Sequence, residues 1–138
     1  EMNAPALLSL VAQRAALPFE WGTRDCALWV FDAVRAFTGR DPAADLRGIY
    51  RTPRAALRLV EREHGWAHIC ATRIGEPILP ENAQTGDVAQ VDTDHCSGET
   101  ADCGALAVVV NGQLVAQGED GLVSLPLSAA LACWRPRG

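Results

Sequence analysis

The chain has no lysine. All 12 of its basic residues are arginines, set against 17 acidic ones, for a net charge of −5. That balance excludes a protein that holds nucleic acid or an anionic membrane surface by bulk charge. Long hydrophobic runs are also missing: none approaches the length of about 18 residues that a membrane-spanning helix needs. The opening Glu1-Met2-Asn3-Ala4-Pro5 has no basic stretch followed by an apolar one, so no secretory signal is expected. Cysteine is not scarce, but its pattern lacks order. Cys26, Cys70, Cys96, Cys103 and Cys133 are odd in number and irregularly spaced, which predicts free thiols in a reducing compartment and not a disulfide framework. Histidine is limited to 3 residues, which narrows the choice of any general base.

What is present suits one compact domain over 1–138. At 49% hydrophobic and 21% charged, 138 residues can bury a core, and disorder is excluded. The first half reads as helices. Leu7, Leu8, Val11 and Ala15 recur at near-helical spacing over 4–16, with Pro18 beyond. Asp25 opens a second helix, apolar on nearly every face and stopped by Gly39, so it should be the buried central one. Thr52-Pro53 is an N-cap followed by a proline at the first helical position, and Gly65 is expected to close that third helix. From Ala67 onward short strand-like runs are expected: 87–91, 105–110, 113–117, 121–125 and 132–135. Asn111-Gly112 is a two-residue hairpin turn, because both turn positions need positive φ. The expected architecture is α+β, with N-terminal helices packed on a small antiparallel sheet or barrel that runs as a meander.

One segment speaks about chemistry. Phe19-Glu20-Trp21-Gly22-Thr23-Arg24-Asp25-Cys26 ends a loop and opens the buried helix on a cysteine. First-turn amides carry partial positive charge, which favours the thiolate, and the amide of Cys26 itself can face an oxyanion. The plainer reading makes Cys26 a small apolar residue filling space at a helix start. Trp21, beside that cysteine, is a candidate wall of a substrate groove; the other tryptophans read as core.

Trp21-Gly22, Asp25-Cys26, an apolar helix and then Gly86-Asp87-Val88 opening a strand resemble the NlpC-type peptidoglycan cysteine peptidases, compact papain-like domains. A phage-encoded branch of that superfamily is the closer resemblance. Its ordered motifs stand here as Pro18 to Cys26, Thr38-Gly39-Arg40-Asp41-Pro42, Arg47-Gly48-Ile49-Tyr50, Gly121-Leu122 and Trp134, covering roughly the whole chain. The resemblance implies a papain-like fold, Cys26 as nucleophile, and a histidine base beginning the strand after Gly-Asp. Here that position is Ala105, which cannot accept a proton, and the third polar position falls near Gln117. The remaining candidate base is His95, in the polar loop ten residues earlier.

Two functions follow from the resemblance. In one, the protein is a phage tail component at the tail tip or in tail assembly, with a degenerate or altered active site and other tail-tip proteins as partners. It resides in the host cytoplasm during assembly and then in the virion tail. In the other, it is a cysteine peptidase or amidase that cuts peptidoglycan cross-bridges, with Cys26 attacking the amide carbonyl and His95 as base. Neither calls for a cofactor or metal. His95, Cys96 and Cys103, with Cys70 and Cys133, match no compact zinc or cluster spacing. Cys96 and Cys103 are close enough in sequence to pair if the protein leaves the cell on a virion. His64 and His68 have helical ligand spacing, but Gly65 between them signals a helix end. Arg47, Arg51, Arg54, Arg58 and Arg62 make a basic stripe, either a solvated face or a dock for an acidic neighbour.

Overall fold

The computed structural model describes residues 2–91 and 105–137. The first helix, α1 (Ala4–Arg14), starts where Asn3 accepts a hydrogen bond from the Ala6 amide at 3.0 Å. It ends two residues before the expected boundary. Its two ends are tied to α2 (Cys26–Thr38): the Asn3 amide donates to the Phe37 carbonyl at 2.7 Å, and the Arg14 guanidinium donates twice to Asp32. The two helices therefore lie antiparallel.

As expected, α2 is the central element. Leu28, Trp29, Val30, Phe31 and Val34 are all buried, each worth about 1.5–3 kcal/mol over an exposed position. The Trp29 indole donates to the Val115 carbonyl at 2.9 Å, seating the helix on the sheet. Gly39 ends it in the left-handed region that the sequence pattern predicts, at φ 80°.

Helix α3 (Pro53–Arg62) is capped by Thr52, whose hydroxyl accepts from the Ala55 amide. It stops before Gly65, which instead opens a further helix, α4 (Trp66–Arg73), where a strand-like pattern was expected. This helix is short and weakly patterned, with only Ile69 and Cys70 buried. It is held by tertiary ties: the Arg73 guanidinium reaches Asp45, Glu63 and the Pro42 carbonyl.

The sheet comprises β1 (Gly75–Ile78), β2 (Val88–Val91), β3 (Ala105–Val110), β4 (Gln113–Gln117), β5 (Leu122–Pro126) and β6 (Ala130–Pro136). All pairings are antiparallel and the order is β1-β6-β2-β3-β4-β5. Only β2 to β5 form the expected meander; β6 returns to lie between β1 and β2. The reason is burial on both faces of β6. Trp134 enters the helix-side core, while Cys133 joins a second cluster with Ala89, Val91, Ala107, Val109 and Leu114. A strand with two apolar faces belongs inside a sheet and not at its edge. The hairpin turn is as expected, with Asn111 at φ 49° and Gly112 at φ 81°. No helix of the described residues is long and apolar enough to cross a membrane.

Candidate functional site

The loop before α2 is a tight, heavily tied turn. The Thr23 and Arg24 amides both donate to the Glu20 carbonyl, and the Arg24 side chain donates back to the Pro18 carbonyl at 2.8 Å. Gly22 sits at φ 81°, and a Cβ there would lie 2.1 Å from the Tyr50 carbonyl oxygen. Glycine is required for both reasons. Phe19 and Trp21 pack edge to face, with centroids 4.8 Å apart.

Asp25 is the hub of the site and is 1% exposed. One oxygen caps α2 by accepting from the Leu28 amide at 2.9 Å. The other accepts from the Gly22 amide at 3.0 Å and from the Tyr50 hydroxyl at 2.6 Å. Burial first, and then the charges of Asp25 and Cys26, hold the Tyr50 phenol far above its usual range. Tyr50 is therefore a fixed donor and not an acid or base at physiological pH.

Cys26 follows as the first residue of α2 and is half-buried. Its place on a helix with a rigid, capped N-terminus is the one the sequence predicts. Trp21 and Cys26 line the same pocket, so the structure brings the expected nucleophile and groove wall together. The pocket runs between α2, α3 and α4, past Leu46, Leu59 and Ile69, to Trp66. Trp21 also borders an open groove with Glu20, Thr23, Gly48 and Arg51.

The sequence motifs prove to be clamps on this loop. Asp41 and Arg47 form a two-bond ion pair at 2.9 and 3.0 Å, and Arg47 reaches Asp32 at 2.7 Å. Arg47 holds the Asp41 carboxyl below its ordinary value. That pair anchors the turn that delivers Tyr50 to Asp25. Gly121-Leu122 ties β5 to the end of α1, because the Leu122 amide donates to the Ala15 carbonyl and a Cβ on Gly121 would meet that same oxygen. Gln117, the expected third polar position, donates instead to the Leu17 carbonyl at 2.9 Å. Its role among the described residues is to hold the loop.

The other sequence candidates lie elsewhere, and of them only His64 and His68 meet among the described residues, their rings edge to face at 5.4 Å. His95, Cys96 and Cys103 lie outside the described residues. Ala105 is the first residue of β3, paired with Val91, so the position expected for a base does open the strand and carries alanine. His64, at φ 66°, links α3 to α4, while His68 lies within α4. The two are therefore not on one helix, and among the described residues no three His, Cys, Asp or Glu side chains gather as metal ligands. Cys70 and Cys133 are free thiols in the core, pushed up by burial to about 12 and about 11 respectively, with Asp87 adding to the second. Arg47 is drawn out of the basic stripe into its ion pairs, which leaves Arg51, Arg54, Arg58 and Arg62 exposed.

Sequence reasoning did not single out Asp25 and Tyr50 as a pair, nor Trp66 as pocket lining. The signal for the first was present: the chain's single tyrosine sits in the Arg-Gly-x-Tyr motif.

The class this defines is an α+β domain with a cysteine at the capped start of its central helix, beside a narrow aromatic-walled pocket. The family described as a domain of unknown function, DUF6950, matches residues 3–136, and the chain belongs to it. Among curated proteins, no relative matches.

Proposed function

We propose that this protein is a phage tail-associated protein of NlpC-type, papain-like descent, a tail-tip or assembly component whose cysteine site is retained in altered form. The observation that carries this reading is a contrast within one site. The support for a nucleophile is complete, with Cys26 at the first position of α2 and Asp25 locked by Gly22, Leu28 and Tyr50. The strand start where the resemblance places a base is Ala105. The partners would be neighbouring tail-tip proteins, and the exposed Arg51, Arg54, Arg58 and Arg62 supply charge for an acidic face.

The test is replacement of the thiol. A Cys26→Ala protein should fold and be built into tails at the normal level. Failure of tail assembly by a normally folded variant counts against the reading.

A second reading has its own supporting observation, the pocket that Cys26 shares with Trp21. In it the protein is a cysteine peptidase or amidase acting on peptidoglycan cross-bridges. The Cys26 sulfur attacks the amide carbonyl and His95 takes the thiol proton and passes it to the leaving amine. The pH profile of alkylation at Cys26 decides between them. A thiol that ionises well below the ordinary value of about 8.5, and reverts in His95→Ala, supports the enzyme.

A further inference from the structure

Among the described residues the arginines divide in two. Arg14, Arg35, Arg47, Arg73 and Arg135 hold carboxylates, while Arg24 and Arg137 donate to backbone carbonyls. Arg40, Arg51, Arg54, Arg58 and Arg62 make no side-chain hydrogen bond or ion pair there, and all are exposed. All but Arg40 stand together. Arg54, Arg58 and Arg62 recur every fourth residue on α3, about 6 Å apart along its axis, and Arg51 comes just before its cap. Arg54 stands in the first turn, where the helix dipole disfavours a cation, and like charges four residues apart repel. Local rules broken on an exposed helix face point to a use outside the helix.

Unpaired acids gather as well. The Phe19 amide donates to the Glu119 carbonyl at 2.9 Å, which sets Glu119 and Asp120, at the turn between β4 and β5, next to Glu20. All three are exposed, and none is ion-paired among the described residues. This acidic corner and the arginine stripe flank one open groove. The loop before α2 brings Glu20, Trp21 and Thr23 to it, and the segment before α3 brings Gly48 and Arg51. Ile49, in that second segment, is 60% exposed, although its neighbour Tyr50 is bonded to Asp25 and Arg47 to Asp41. A rigidly held, exposed apolar side chain suits an anchor.

We infer that this face joins two copies of the chain about a two-fold axis through the groove. The acidic corner of each copy meets the arginine stripe of the other, with Trp21 and Ile49 as the apolar centre. Because both patches flank one groove, a single rotation closes both contacts at once; patches on opposite faces would build open chains instead. The chain itself carries the complement to its stripe. A long polyanion such as a nucleic acid fits less well, since beyond the stripe it meets a protein of net charge −5. The inference needs neither the tail reading nor the thiol reading.

Sedimentation velocity of the intact protein tests it. At about 50 mM salt the chain should pass reversibly from monomer to dimer as its concentration rises from about 1 μM to about 500 μM, and about 500 mM salt should weaken the dimer at least about tenfold. Arg54→Glu with Arg58→Glu should remain monomeric, and so should Glu119→Arg with Asp120→Arg, because each change makes both contacts repulsive. Mixed in equal amounts, these two variants should form a heterodimer about as tight as the native pair, since opposite charges again meet at both contacts. Glu76→Arg with Glu81→Arg makes the same change in net charge at β1 and the turn after it, the opposite edge of the sheet from β5, and should leave the dimer in place. Ile49→Asp should weaken it, and Cys26→Ala should not. A monomer at every concentration in low salt would overturn the inference and give the stripe to a different partner. A dimer untouched by charge reversal at the stripe, variants that fail to pair when mixed, or a ladder of masses beyond the dimer would overturn it too. None of these outcomes bears on the Cys26 site, which tail assembly and alkylation test separately.

Discussion

Asp25 and Asp87 are both buried, at 1% and 3% exposure, yet they are satisfied in opposite ways. Asp25 accepts only from neutral donors: two backbone amides and the Tyr50 hydroxyl. Asp87 takes a two-bond ion pair from Arg135 at 3.2 and 2.9 Å and a hydrogen bond from the Gln84 amide at 2.7 Å. The second arrangement is a staple. It fastens the turn before β2 to β6, and its arginine, 42% exposed, keeps contact with water. The first surrounds a carboxyl group beside Cys26 without placing a guanidinium against it. The helix that Asp25 caps begins at Cys26, so its first-turn amides add partial positive charge there. One aspartate closes the fold, and the other shapes a site.

The largest expected effect separates the two directly. Asp25→Ala leaves the Gly22 amide, the Leu28 amide and the Tyr50 hydroxyl without acceptors and should cost about 3–5 kcal/mol. Asp87→Ala should cost about 1–3 kcal/mol, since Arg135 can rehydrate. Urea midpoints of the two variants check the order, and a larger loss for Asp87→Ala would break the contrast.

Two glycines sharpen it. Gly22→Ala strains a left-handed residue and drives a Cβ to 2.1 Å from the Tyr50 carbonyl oxygen, while Gly86→Ala at φ 98° drives one to 2.3 Å from the Phe37 ring. Each should cost about 1–3 kcal/mol. Only Gly22→Ala should also change the alkylation rate of Cys26, because it alone displaces the Tyr50 segment. Equal effects on that rate would mean that the loop and the staple are not separable.

The smallest effect belongs to carboxylates at the surface. Arg73 holds the Asp45 carboxyl below its ordinary value through their hydrogen bonds, and Asp45 is 67% exposed. A depressed carboxyl pKa contributes stability above the unfolded value of about 4, and loses it as pH falls through the folded value. Arg73→Met should therefore flatten the fall in stability below pH 4 by a small margin, read as thermal midpoints from pH 5 to pH 2.5. A margin as large as that of Asp25→Ala would contradict the ranking of these sites.

Much of this was legible from local signals. Thr52 and Asp25 cap helices through side chains that reach three residues ahead, and Asn111-Gly112 turns a hairpin within two residues. The run after Asp25 reads as a buried helix, because it is apolar on nearly every face. Cys26 at that helix start needed no contact from elsewhere in the chain. Such features depend on neighbours within about one helical turn, so the sequence alone determined them.

Tertiary structure decided the rest. Helix α4 has too little pattern to announce itself and is pinned by Arg73 to Asp45, 28 residues earlier. Strand β6 could not be placed until both of its faces found cores, since alternation within a strand does not say which neighbour it pairs with. The union of Asp25 with Tyr50 spans 25 residues, and the pocket beside Cys26 needs three helices and the segment before α3. Chain separation hides such contacts, because each depends on how packed elements cross in space and not on any pattern that one of them carries.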